Sequence, residues 1–222
     1  MTWLAPGEPG GVEPVITRML NSAYAEVREA GGQMAAFAGL ELGLGPLLAR
    51  ARSTQDAPTR KGAAFTCARR LPRTDNAHEA AAALGQFFRD QDDGVRKTAA
   101  EVAGVLRGQS LRPFASVLTA LIAAPAFEDA VPQLLITLQY APDRIDDLVI
   151  LCARRFLDTQ GPDAGNITTA AAARAPEIGK LILRACAQAE DPGSRAELLN
   201  LIDDLLLSGA YGFEEMVQEA EH

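Results

Sequence analysis

Residues able to do chemistry are sparse in this chain and poorly spaced for it. Of the two histidines, His78 is internal and His222 is the last residue. His78 therefore has no second histidine, and no cysteine nearby in sequence, with which to build a metal site. One internal histidine cannot support a Ser/His/Asp arrangement, and GxSxG, GxGxxG and the phosphate-loop pattern are all absent. Cys67, Cys152 and Cys186 form no CxxC pair and read as buried, reduced thiols. Arg69 and Arg70 stand close enough in sequence to activate Cys67, but a core cysteine on an apolar helix face is the simpler reading. The acid pairs Asp92-Asp93, Asp146-Asp147, Asp203-Asp204 and Glu214-Glu215 are adjacent, and adjacent residues do not face one another on a helix. They are expected to be caps and solvated faces. No catalytic residue, cofactor or metal is expected, and the chain is not read as an enzyme.

One concentration of charge could bind a partner. Arg50, Arg52, Arg60, Lys61, Arg69, Arg70 and Arg73 share a stretch whose only acid is Asp56. Around it the charge is uneven: residues 1–110 carry a net +1 and residues 111–222 a net −9, which sum to −8. Phosphate neutralisation supplies most non-specific nucleic-acid affinity, so an acidic chain is a poor general nucleic-acid binder. The basic cluster is the local exception.

The elements that must position these groups are helical. Aromatics make up only 5% of the 222 residues, and 41 residues are alanine, a pairing that favours close-packed helices over strands. Val12, Val15, Ile16, Met19 and Leu20 repeat at helical spacing, as do Val27, Ala30, Met34, Phe37 and Ala38. Further helices are predicted over 42–51, 57–71, 76–89, 92–107, 111–123, 126–139, 142–159, 168–189 and 195–207. The start 1–11 reads as a flexible Pro/Gly-rich segment, without the basic and apolar regions of a signal peptide. No apolar run approaches the roughly 18–20 residues a membrane span needs, so a cytoplasmic protein is expected.

An internal repeat organises the first half. Tyr24-Ala-Glu-Val-Arg28, Asp56-Ala-Pro-Thr-Arg60 and Asp92-Asp-Gly-Val-Arg96 open three helices alike, with arginines 32 and then 36 residues apart. An Asp-rich turn leading into a Val-Arg-x-x-Ala helix resembles the HEAT repeat. That resemblance is good over 22–107 and leaves looser echoes around Asp143-Arg144 and Pro192–Ala196. It implies an all-α, right-handed α-solenoid of about 11–12 helices. Residues 12–108 would form HEAT-like repeats, and 109–222 degenerate repeats or a capping bundle within one continuous domain. Hairpins of this kind bury their apolar stripes by stacking. Arg28, Arg60 and Arg96 are then expected to form a ladder with turn acids and carbonyls rather than a binding stripe. His78-Glu79 looks like one element of the paired motif of HEAT-like iron hydroxylases, but the partner pairs are missing.

The stretch Ala196-Glu-Leu-Leu-Asn-Leu-Ile-Asp-Asp-Leu-Leu-Leu-Ser-Gly-Ala-Tyr-Gly212, with Ile167-Thr-Thr-Ala, resembles the C-terminal helical-repeat region of large bacterial STAND/NACHT-type NTPases. Many of these are linked to antiviral defence. The resemblance implies a non-catalytic scaffold that recognises a protein partner or answers to an upstream NTPase domain. The rival reading is a HEAT-like DNA-backbone binder that uses Arg50, Arg52, Arg60, Lys61, Arg69, Arg70 and Arg73, although few Trp or Tyr are present to hold an extruded base. A bilin-lyase-like chaperone shares only the repeat.

Overall fold

A computed structural model describes residues 13–37, 44–73, 77–143, 145–160 and 174–207. All regular structure among them is helical: α1 (Glu13–Leu20), α2 (Ala25–Phe37), α3 (Leu44–Ser53), α4 (Ala57–Arg70), α5 (Ala77–Phe87), α6 (Asp93–Ala100), α7 (Val102–Val105), α8 (Ala115–Ile122), α9 (Phe127–Gln139), α10 (Asp146–Gln160), α11 (Ala175–Gln188) and α12 (Pro192–Leu207). Short 3-10 turns, Leu71–Arg73 and Arg112–Phe114, follow α4 and precede α8. Among the described residues no helix is long and apolar enough to cross a membrane. The expected start of a helix at 168, the turn at 209–212 and the segment 1–11 lie outside the described residues.

The helix boundaries follow from local chemistry. Asp56 precedes α4 in extended geometry and accepts the Thr59 amide at 3.1 Å, while Pro58 sits in the first turn, where its missing N–H is not needed. Asp92 does the same for α6 through the Val95 amide at 3.0 Å. Gly108 ends the α6–α7 run at φ +74°, a conformation other residues rarely adopt. The last helix begins three residues earlier than its apolar pattern suggests. There Asp191 accepts the Ser194 amide at 2.7 Å, so Pro192 and Gly193 join the first turn.

The chain divides into two compact units, Met1–Val105 and Leu106–His222. In the first, α2, α3, α5 and α6 all pack on α4. Alanine is frequent in its interior, with Ala63, Ala64, Ala68, Ala80, Ala83, Ala99, Ala100 and Ala103 all buried beside larger residues such as Leu48, Leu84 and Phe88. The closest approach is glycine on glycine, where α2 crosses α4. A Cβ on Gly32 would lie 2.3 Å from the Gly62 Cα. Beside that crossing the buried Thr66 hydroxyl reaches the carbonyls of Gly32 (2.7 Å) and Gly62 (2.9 Å), bonding the two helices together. The second unit is built on larger side chains. Leu118, Leu121, Ile122, Phe127, Leu134, Ile182 and Leu198 are fully or almost fully buried, and α10 packs on α8, α11 and α12.

Candidate functional site

The repeated arginines form a ladder. Each stands one turn inside its helix, where the positive end of the helix dipole disfavours a cation, so each needs oxygen partners. Arg28 donates from Nε and Nη2 to the two carboxylate oxygens of Asp56, both at 2.7 Å, and from Nη1 to the carbonyls of Ser22 and Ala23. Arg60 makes the same two-pronged contact with Asp90 at 2.8 and 3.0 Å. Arg96 turns back on its own loop, donating to the carbonyls of Asp90 (2.8 Å) and Gln91 (3.0 Å) and to Asp93. The first two pairs each span one hairpin, 28 and 30 residues, tying one interhelical turn to the next.

The carboxylates respond to these partners. Hydrogen bonds from the Arg28 guanidinium, with help from Thr59, hold Asp56 far below the ordinary carboxylate range against the opposing effect of burial. For Asp90, burial is the largest single influence and pushes upward, yet Arg60, the Asp92 amide and Arg96 together carry it below its usual value. In the second unit Asp143 bridges turns without an arginine. It accepts from the amides of Leu111 and Arg112 and from the Ser110 hydroxyl, each at 2.9 Å. Burial raises it, and those three donors outweigh the rise, leaving it lowered.

The described members of the basic cluster have several different neighbours. Arg60 is held by Asp90, and Lys61 pairs with Glu29 at 2.8 Å. Arg69 lies nine residues beyond Arg60, about 13 Å along the axis and two and a half turns round, hence on the opposite side of α4. It stacks over the Phe65 ring at 5.3 Å and stands 4.0 Å from Glu101. Arg52 is exposed on α3, and it shares with Arg70 a position near Cys67, whose thiol both pull downward. Burial wins there and pushes Cys67 up to about 12. The side chains of Arg50 and Arg73 lie outside the described part of the chain. Cys152 is likewise pushed up to about 12 by burial alone, and burial of this kind favours the thiol over the thiolate.

His78 is exposed on α5. Among the described residues no group of three or more His, Cys, Asp and Glu is arranged to hold a metal ion. Of the adjacent acids, Asp92 is a cap, Asp93 pairs with Arg96 (2.9 Å) and Lys97 (2.7 Å), and Asp203 and Asp204 are exposed. Glu214 and Glu215 lie outside the described residues. Asp146 and Asp147 stand in the first turn of α10. They line a cavity of about 410 Å³ in the second unit, together with Glu190, Asp191, Ser194, Arg112, Ala115, Ile145 and Leu148. Four carboxylates and one guanidinium line that space, and Asp191 is held below the ordinary carboxylate range by the amide and hydroxyl of Ser194. Sequence reasoning missed this cavity, because its three walls come from residues 112–115, 145–148 and 190–194. It also missed Asp143 as a bridging acid, although the spacing of 32 residues from Leu111 matches the repeat.

No protein-family model matches the chain, and no curated protein matches it. Among solved structures it is similar to the crystal structure of an engineered protein, at 13% identity over 87% of this chain and 96% of that one. The TM-score of that likeness is 0.45, too low to carry an argument about fold or function.

Proposed function

We propose that this chain is a non-catalytic helical-repeat scaffold, a right-handed α-solenoid of HEAT-like hairpins that recognises a protein partner. We further place it in the cytoplasm as the sensor or regulatory end of a bacterial, antiviral-type NTPase system. The observation that carries the repeat reading is the pair of arginine bridges, Arg28 to Asp56 and Arg60 to Asp90, each reaching from one hairpin's turn to the next. Such contacts are what a stack of like units needs, since each hairpin has too little surface to bury its own stripe. The ladder also consumes the guanidinium of Arg60 and, with Lys61 bound to Glu29, removes two members of the basic cluster from the rival DNA-binding reading.

The N-terminal hairpin supports a partner at that end. Val15 (43%) on α1, Tyr24 (72%) in the turn before α2 and Met34 (39%) on α2 are exposed there, where a solenoid end would ordinarily be polar. An upstream NTPase domain, another protein or a second copy would cover them. Affinity capture of the tagged protein from infected and uninfected bacterial lysate, read by mass spectrometry, tests the reading. Retention of an NTPase or a phage protein is expected. Retention of nucleic acid alone, released by moderate salt, would replace this reading with DNA-backbone binding.

A further inference from the structure

We draw no further inference here: the strongest candidate, the cavity of about 410 Å³ at the first turns of α8, α10 and α12 in the second unit, is a cluster of carboxylates in which Asp146 and Glu190 already have partners, and nothing in the structure shows what would occupy it.

Discussion

The two units differ in how much of their packing is done by small side chains. In Met1–Val105 helices meet through what they lack: glycine faces glycine at the α2–α4 crossing, and alanines line the surrounding interior. In Leu106–His222 they meet through bulk, with leucine, isoleucine and phenylalanine between them. The turns differ in parallel. The first unit joins turn to turn with guanidinium on carboxylate, whereas the second sets the Asp143 carboxylate on backbone amides. At the α2–α4 crossing two glycines offer no side chain to bury, and the Thr66 hydrogen bonds lie beside it. The second unit can rely on the hydrophobic effect, which needs area but little direction.

Opposite mutations should therefore break the two halves. The largest effect is expected from Phe127→Ala, which empties a fully buried site in the second unit and should cost roughly 3–5 kcal/mol in urea denaturation. Amide exchange should rise first in residues 106–207. A loss below about 1 kcal/mol would mean that bulk is not what holds that unit.

Adding one methyl should harm the first unit comparably. Gly32→Ala places a Cβ 2.3 Å from backbone that has no flexible end to move, and the resulting separation of α2 from α4 should cost about 1–3 kcal/mol. Thermal unfolding checks this. An unchanged melting temperature would show that the helices slide apart freely and that the crossing is not a constraint.

The ladder comes next. Asp56→Ala removes both the cap of α4 and the acceptor of Arg28, and loss of the cap alone should cost about 1 kcal/mol. Asp56→Asn keeps a capping oxygen and should recover most of that part. Equal destabilisation by the two variants would assign the whole effect to the ion pair.

Acid should distinguish the same contacts. Asp56, Asp90 and Asp143 all have folded values below their unfolded ones. Their stabilisation is therefore complete above the unfolded carboxylate range near pH 4 and is lost as pH falls through the lower folded values. Melting temperature should hold steady from neutral pH down to about 4 and then drop. The drop should be shallower in Asp56→Asn, and a curve identical to that of the parent would remove Asp56 from the account.

The smallest effect belongs to Arg69→Ala. Its pairing with Glu101 is long and half-exposed, so denaturation should show a change within about 0.5 kcal/mol. A much larger loss would mean that the stack on Phe65 is structural.

Much of this was legible from residue order. Asp56, Pro58, Asp92 and Gly108 mark helix ends by local rules that need no tertiary partner, and the observed boundaries at α4, α6 and α7 agree with them. The arginine spacing also anticipated a ladder, because a cation one turn inside a helix start needs oxygens to hold it. Its partners were less legible. Arg28 pairs with the capping Asp56 itself, whereas Arg60 pairs with Asp90, two residues before the cap Asp92. The basic cluster shows the opposite limit: among its described members Arg60, Lys61 and Arg69 stand near three different acids, which closeness in sequence does not reveal.

The sequence alone determined that the chain is helical and where several of its helices start and stop. Those properties depend on capping, φ preference and residue chemistry within a few positions. Only the tertiary structure decided that Gly32 touches Gly62, that Thr66 bonds across that contact, and that acids from three distant stretches share one cavity. Each depends on where helix axes cross, and crossings are set by the summed packing of many side chains rather than by any short run of residues.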